Sequence, residues 1–486
     1  MRLRRAILLM VCSICAYLAV GAATPTPGKP GEVEVWLTNY DKSALFSPQP
    51  PLALSNAPSS ISAESAAAEA ASPTISIDDA KAFQPIDGFG FALTGGSAQH
   101  LAHMDAAKRA TLLHELFATD GNNIGISYLR ISIGASDLND HVYSYDDVPA
   151  GETDPQLTRF TLKEDRADLL PVLKEILAIN PRIQILGSPW SAPAWMKTNV
   201  NVKAGELKRE YYAAYANYFV KYIEGMKAEG VTINAITVQN EPLNPKNTPS
   251  MVMQAPDEAA FIKNNLGPAF KAAGIRTKII LYDHNCDVPE YPLTILQDSA
   301  AYPYVDGSGF HLYGGEITAM SKVHDAFPQK NLYFTEFMAV EPPDPNRITI
   351  TQPVVGTFIG ALQNWSRNML LWNLAANSKF EPHTDDGGCP ICQGAVTIDG
   401  NEVTRNIAYY AMAHFSKFVR PGSVRIAATA APNLPNVAFK TPDHKIVMIV
   451  ANDSTAPQSF TVRGHAHAFR TELEPGSVAT YIWPSK

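Results

Sequence analysis

Short apolar segments of β-type composition alternate with helix-length segments over most of this 486-residue chain, and this alternation restricts its fold more than any other feature. The intervening segments include clear amphipathic helices, such as 165–179 and 207–229, where apolar residues recur every three or four positions. Pro171 in the first of these predicts a kink or a later helix start. Eight strand–helix units predict an α/β fold, a (β/α)₈ TIM barrel with parallel strands. The eight strand-like runs are Phe89–Thr94, Ile126–Gly134, Ile183–Trp190, Ala235–Pro242, Thr277–Asn285, Gly307–Tyr313, Asn331–Phe337 and Asn368–Ala375.

A second pattern begins after about Arg420, where the helical period gives way to alternation of apolar and polar residues. The alternating runs lie at 437–440, 445–451, 459–462 and 478–483, which indicates an all-β module. A similar run at 32–39 stands alone before the barrel and needs partner strands. We therefore expect an accessory all-β sandwich domain formed from both chain termini.

These patterns divide the chain into four segments. Residues 1–23 read as a signal peptide, and residues 24–84 carry the N-terminal strand of the sandwich and an insert rich in Pro, Ser and Ala. Within that insert, residues 47–73 are expected to form a surface linker. Residues 85–415 form the predicted barrel, and residues 416–486 form the C-terminal β-sandwich.

The first 23 residues have the layout of an export signal. Arg2, Arg4 and Arg5 precede an apolar run from residue 6 to residue 20, and small residues follow it. A membrane anchor is the alternative, because a spanning helix needs about 20 apolar residues. Thr-Pro-Thr-Pro follows instead of a basic flank, so we expect a secreted or periplasmic protein without an integral membrane segment after signal removal.

Charge and cysteine content narrow the possible partners. The chain has 39 Lys and Arg against 47 Asp and Glu, which argues against a nucleic-acid partner. Of its five cysteines, two lie in the leader, and Cys389-Pro-Ile-Cys392 lies in a loop rich in Gly and Pro. Redox chemistry or half of a zinc site is possible there, but without a second pair a loop disulfide is favoured. Oligomeric state is left open.

Two glutamates follow strand-like runs that are three strands apart in the count above. A-I-T-V-Q-N-E-P ends strand four at Glu241, and N-L-Y-F-T-E ends strand seven at Glu336. The C-terminal ends of barrel strands meet at one mouth, so both carboxylates face one cleft. Either glutamate alone is equally well explained as a helix-start or surface charge. Together they provide what glycosidic-bond hydrolysis requires: one group to protonate the leaving oxygen and one to attack or to activate water.

The segment 188–199, S-P-W-S-A-P-A-W-M-K-T-N, closely resembles a motif of glycoside hydrolase family 30. Further matches are D-G-F-G at 87–90, L-R-I-S-I-G-A-S-D at 129–137, T-V-Q-N-E-P, F-T-E-F, and H-F-S-K-F at 414–418. The resemblance extends from about Val33 to Trp483, apart from the Pro/Ser/Ala insert.

The resemblance implies roles for four residues. Glu241 would be the general acid/base and Glu336 the nucleophile of a retaining double displacement, with unlike environments that keep Glu241 protonated and Glu336 ionised at rest. Asn240 would hydrogen-bond the sugar 2-hydroxyl. Arg130 would hold the nucleophile as an anion; a surface salt bridge is the alternative.

It also implies a sugar pocket. Trp190 and Trp372 would cover the C–H faces of the sugar ring, with core packing as the alternative for each. His311 and Tyr313 would lie near the nucleophile, although His311 could equally be a core histidine. Asp283 would orient sugar hydroxyls or neighbouring groups at the barrel rim.

No cofactor and no metal are implied. The motif Asp283-His-Asn-Cys-Asp287 and the pair His100 and His103 contain ligand-type side chains, but neither offers a closed set of ligands.

The substrate implied is a carbohydrate with β-glucosidic bonds, either a glucoside, a glycolipid or a β-glucan. Glucosylceramidases have G-F-G-G-x-x-T-D after strand one, whereas this chain has Gly95 at the place of the aspartate. We expect a glucosylceramidase-like β-glycosidase, with an endo-β-1,6-glucanase of the same family as the alternative. A non-catalytic carbohydrate-binding barrel is an alternative of another class, which retention of both glutamates with Asn240 and Arg130 disfavours.

Overall fold

The computed structural model describes residues 31–56, 72–342, 344–465 and 467–485. Its central element is a parallel barrel whose eight strands are called strands one to eight here. They are, in order, Gly88–Ala92, Tyr128–Ser132, Gln184–Ser188, Ala235–Thr237, Lys278–Cys286, Val305–Gly315, Asn331–Glu336 and Asn368–Leu371. Strands one to seven pair in sequence order, strand eight pairs with strand one, and a parallel bridge between Leu332 and Ser366 joins strands seven and eight. The predicted (β/α)₈ barrel is confirmed.

Helices surround the barrel on its outer face. The α-helices are Gly95–His103, Ala106–Phe117, Leu169–Ile179, Tyr212–Ala228, Ala255–Phe261, Gly267–Ala272, Glu290–Gln297, Ala319–Ala326, Thr351–Pro353, Gly360–Gln363 and Ile407–Ser416. Shorter turns are the π-helical Ile262–Leu266 and Val354–Ile359 and the 3₁₀ segments Glu164–Arg166, Ala194–Met196, Arg209–Tyr211 and Tyr302–Tyr304. Pro171 lies in the first turn of Leu169–Ile179. Of the two predicted effects of this proline, a kink or a later helix start, the structure shows the later start.

The barrel is filled by side chains and is not a pore. One interior layer consists of buried residues from strands two, three, four, five, seven and eight: Tyr128, Leu186, Ala235, Ile280, Tyr333 and Leu370. Other apolar strand residues, such as Phe89, Leu129 and Ile185, pack with the helices in one large apolar core. This division gives each strand two buried faces, which explains the nearly continuous apolar runs in the sequence.

The accessory domain combines strands from both ends of the chain. Glu32–Thr38 pairs antiparallel with Val478–Pro484, which in turn pairs with Lys445–Ala451. The further strands are Ser47–Ala53, Ser55–Asn56, Thr74–Pro85, Val424–Ala428, Asn436–Lys440, Gln458–Arg463 and His467–Leu473. The prediction of a sandwich built from both termini is confirmed.

Three local predictions differ from the structure. Residues 47–73 were expected to be a linker, but Ser47–Ala53 and Ser55–Asn56 are strands, because Ser47–Ala53 pairs as an edge strand that tolerates proline. Strand four ends at Thr237 and does not reach Glu241. The strand Thr74–Pro85 was missed, and its register shifts against Val424–Ala428 explain why its alternation is irregular.

The proposed leader, residues 1–23, lies outside the described residues. Within the described ranges, no helix is both long enough and apolar enough to cross a bilayer.

Candidate active site

Both glutamates lie at the C-terminal mouth of the barrel. Glu336 is the last residue of strand seven. Glu241 lies four residues beyond strand four in a left-handed backbone conformation, with φ of 46°, which is costly for a residue with a side chain. Its N–H donates to the carbonyl oxygen of Asp283 at 3.0 Å, so strand five fixes the turn that directs this carboxylate.

Arg130 forms hydrogen bonds with several other side chains of the site. It lies on strand two and is completely buried. Its Nη1 donates to Glu336 Oε2, while Nη2 donates to Asn240 Oδ1 at 2.7 Å and to Asp283 Oδ2 at 2.8 Å. Charge-assisted bonds of this kind are strong in a buried setting, so Arg130 fixes three side chains at once.

Asp283 is completely buried beneath the two glutamates. Its Oδ2 accepts hydrogen bonds from Thr237 Oγ1 at 2.7 Å and from Ser188 Oγ at 3.2 Å. Its Oδ1 lies 3.0 Å from His311 Nε2. Of the two roles expected for Asp283, the geometry matches the orientation of neighbouring groups, because no part of the side chain reaches the cleft surface.

Four side chains surround the Glu241 carboxylate. Oε1 lies 3.4 Å from His284 Nδ1 and 3.5 Å from His311 Nδ1. Oε2 accepts hydrogen bonds from Asn244 Nδ2 at 2.7 Å and from Asn247 Nδ2 at 3.2 Å. Glu241 as a residue is 7 % exposed, so these groups nearly enclose it.

Glu336 shares one of these neighbours. His311 Nδ1 lies 3.9 Å from Glu336 Oε1, and the Tyr313 hydroxyl donates to the same oxygen at 3.1 Å. Because one nitrogen contacts both glutamates, their Oε1 atoms are less than about 8 Å apart, so both carboxyl groups can reach one sugar ring. His311 and Tyr313 therefore lie beside Glu336, as the sequence predicts.

The two carboxyl groups lie in unlike electrostatic environments. Burial raises the pKa of Glu336 above its ordinary value, and the adjacent His311 and Arg130 offset only part of this rise. Burial also disfavours ionisation of Glu241, but contacts with His284 and His311 lower its pKa overall. Burial lowers the pKa of His311, but the neighbouring carboxylates, first Glu336, raise it to about 9. These contacts favour the ionised form of Glu241, whereas burial favours the protonated form of Glu336.

Two tryptophans lie beside this cluster. The rings of Trp190 and Trp372 are stacked, with centroids 5.4 Å apart, and the Arg130 guanidinium lies 4.8 Å from the Trp190 ring. Cys392 packs against the pair, and its disulfide with Cys389 is formed. The predicted loop disulfide is thus present, and it supports the aromatic part of the site.

Sequence reasoning missed several members of the site, among them Asn244 and Asn247, which bond to Glu241, as well as Asp137 and His284. Asp137 is buried, and its pKa lies well above the ordinary value because of burial and the nearby Glu336 and Glu241. It ended a quoted motif without being assigned a role. His284 was noted only as part of a metal-like motif, and its contact with Glu241 depends on a turn that the sequence does not reveal.

Gly95, the departure from the glucosylceramidase pattern, has a steric explanation. A Cβ atom at this position would lie 1.9 Å from Asn139 Nδ2. Asn139 is itself held in place, since its Oδ1 accepts hydrogen bonds from Ser136 N and Oγ at 2.9 and 3.1 Å. The space of a side chain at position 95 is therefore occupied by Asn139.

Known proteins share this fold and these motifs. Residues 86–419 match the glycosyl hydrolase family 30 TIM-barrel domain, and residues 422–481 match the glycosyl hydrolase family 30 beta sandwich domain. An endo-1,6-beta-D-glucanase of Trichoderma harzianum is 36 % identical over 402 residues, covering 78 % of this chain and 80 % of the relative.

The lysosomal acid glucosylceramidase of Mus musculus is 28 % identical over 439 residues, covering 84 % of this chain and 83 % of the relative. Among solved structures, an endo-β1,6-glucanase superposes with a TM-score of 0.83 at 34 % identity, covering 94 % of this chain and all of that one. The chain therefore belongs to glycoside hydrolase family 30 and is a glycoside hydrolase.

Proposed function

We propose that this protein is an endo-β-1,6-glucanase that retains the anomeric configuration. The observation that carries the proposal is the pair Glu241 and Glu336, which face one histidine nitrogen from opposite sides of the barrel mouth. The arrangement matches the need of a double displacement for one proton donor and one nucleophile near the same anomeric carbon.

In the first step, a Glu336 oxygen attacks the anomeric carbon while the bond to the leaving oxygen breaks. Glu241 donates a proton to that oxygen, and His311 Nδ1, 3.5 Å away, is the group that can supply Glu241 with it. Arg130 stabilises the ionised form of Glu336 during attack, because its Nη1 donates to that carboxylate.

In the second step, Glu241 accepts a proton from water as the water oxygen bonds to the anomeric carbon. The ester bond to Glu336 breaks, and the carboxylate regains its contacts with Arg130 and Tyr313. Asn240 Oδ1 is occupied by Arg130, which leaves its amide N–H groups free to donate to the sugar 2-hydroxyl, where bonds strengthen in the transition state.

Two observations favour β-1,6-glucan over glucosylceramide, which the sequence motifs had put first. The relatives named as endo-1,6-glucanases are 35–37 % identical to this chain, whereas those named as glucosylceramidases are 27–28 % identical. Asn139 fills the space that an aspartate side chain at position 95 would need. This chain therefore has no room for the aspartate that glucosylceramidases have at this position.

A time course of products distinguishes the two substrates. Purified protein is given β-1,6-glucan and, separately, an aryl β-glucoside, and products are separated by chromatography. We expect short oligosaccharides to appear early from the polymer. Rapid release from the aryl glucoside with intact polymer would support the glucosylceramidase-like alternative and contradict the glucanase.

A further inference from the structure

Two buried histidine nitrogens face the same oxygen of the Glu241 carboxylate. His284 is 7 % exposed and His311 is fully buried. Within the ranges that the structure describes, neither Nδ1 atom has a hydrogen-bond partner, although both lie within 3.5 Å of Glu241 Oε1. Buried polar atoms in native proteins are normally satisfied, so two such atoms aimed at one oxygen need an explanation.

Their chemistry and spacing are those of a metal site. Two imidazole nitrogens and one carboxylate oxygen form a common ligand set for Zn²⁺, and ligands about 2.0 Å from a tetrahedral ion are about 3.3 Å apart. The two nitrogen–oxygen distances, 3.4 and 3.5 Å, are close to this spacing. All three ligand atoms lie within 4.8 Å of one another, so one ion can contact all of them after small movements of the rings.

The surroundings of His311 prepare it as a ligand. Once Nδ1 has released its proton, the ring still donates from Nε2 to Asp283 Oδ1 at 3.0 Å, and the Nδ1 lone pair is directed at Glu241. Asp283 is held in turn by Arg130 at 2.8 Å. A carboxylate on the far nitrogen of a ligating histidine is the usual outer partner in zinc sites, because it fixes both the tautomer and the ring orientation.

We propose that Glu241, His284 and His311 bind a divalent transition-metal ion such as Zn²⁺ and that this ion inhibits the enzyme reversibly. The inhibition rests on the proposed function, since a Glu241 carboxylate that ligates an ion cannot donate a proton to the leaving oxygen. The binding itself rests only on the three ligand atoms.

The test measures binding and activity separately. Full-length mature protein is stripped with EDTA and titrated with ZnCl₂ by calorimetry, and Co²⁺ absorption reports the coordination geometry. We expect one ion per chain, a tetrahedral Co²⁺ spectrum, loss of β-glucan hydrolysis in proportion to occupancy, and recovery with excess EDTA.

Three variants locate the ion. His284→Gln and Glu241→Gln should each weaken Zn²⁺ binding by about tenfold or more, because each loses one ligand. His103→Gln, which changes an exposed histidine on the helix Gly95–His103, should bind Zn²⁺ like the parent protein. Circular dichroism checks that every variant is folded. If one of the two ligand variants does not fold, the other is enough to test the site.

Absence of binding, or binding that survives both ligand substitutions, would overturn the metal site. Binding that depends on both ligands but leaves hydrolysis unchanged would overturn the inhibition. If the metal-free protein does not hydrolyse β-glucan at all, the proposed function fails, while calorimetry and the Co²⁺ spectrum still decide the metal site.

Discussion

At the scale of single residues, the groups proposed for catalysis could be placed together because their motifs are local. Short segments were enough to single out Glu336, Arg130 and Asn240. In the structure, the Arg130 guanidinium donates hydrogen bonds to both Glu336 and Asn240. His284 could not be assigned, because its contact with Glu241 is set by the left-handed turn at Glu241 and by pairing with strand five. Its partner is therefore defined by tertiary geometry and not by spacing along the chain.

Replacement of the proposed nucleophile should remove hydrolysis. We expect Glu336→Ala to lower kcat by about 10⁴-fold or more, on the scale seen when a catalytic nucleophile is removed. Azide should restore turnover and give the α-glycosyl azide, because it attacks from the vacated face. Glu241→Ala serves as the matched control and should give the β-glycosyl azide, as azide then attacks the glycosyl-enzyme. Unchanged hydrolysis in Glu336→Ala would remove this residue from the nucleophile role.

The steric account of Gly95 can be tested with a pair of substitutions. We expect Gly95→Asp to lower the free energy of unfolding by about 1–3 kcal/mol, the usual cost of overpacking, because its Cβ would lie 1.9 Å from Asn139 Nδ2. Adding Asn139→Ala should recover part of this loss, as measured by urea unfolding. Equal stability of Gly95→Asp and the parent protein would contradict the account.

At the scale of elements, strand identity was predictable and strand ends were not. All eight barrel strands were found because burial on both faces gives them apolar runs of β-type composition. The sequence did not predict the strand Val424–Ala428 or its partner Thr74–Pro85. Their pairing contains register shifts, which disturb the two-residue alternation of apolar and polar side chains. The loop that leaves Ala376 and returns at Val396 was predicted to hold a disulfide, but its packing on the two tryptophans depends on the folded barrel.

The disulfide loop should contribute to sugar binding. In the double variant Cys389→Ser, Cys392→Ser we expect kcat/KM on β-1,6-glucan to fall by about tenfold, because small displacements of positioning groups are costly and Cys392 packs against Trp190 and Trp372. The overall fold should persist, with little change in Tm. Dithiothreitol should lower the kcat/KM of the parent enzyme to that of the variant and leave the kcat/KM of the variant unchanged. A reductant that affects neither protein would contradict this role.

At the scale of the whole molecule, the sandwich is joined to the barrel through a polar contact in an apolar junction. His414, on the helix Ile407–Ser416, is fully buried, and its two ring nitrogens lie 2.9 Å from the Thr38 and Thr480 hydroxyls. Trp36 of the first sandwich strand packs against Phe418 at 5.5 Å. The sequence predicted that both termini meet, because a lone strand needs partners, but it did not predict this histidine bridge.

This junction should make stability depend on pH. Burial lowers the pKa of His414 to about 3, so the ring is neutral when folded and takes up a proton on unfolding below its ordinary pKa of about 6.5. The free energy of unfolding therefore falls by up to about 1.4 kcal/mol per pH unit as the pH falls from about 6.5 towards 3. Urea unfolding between these limits should show a smaller loss for His414→Gln than for the parent protein. The exposed His103→Gln should leave the profile unchanged, and identical profiles for the parent and His414→Gln would contradict the prediction.

The stereochemistry of the first product tests the central claim most directly. Proton NMR, recorded within seconds of mixing the enzyme with a β-1,6-linked oligosaccharide, identifies the anomer released before mutarotation. A double displacement through Glu336 with Glu241 as acid/base predicts the β-anomer as the first product. First appearance of the α-anomer would mean single displacement by water and would contradict the roles proposed for both glutamates.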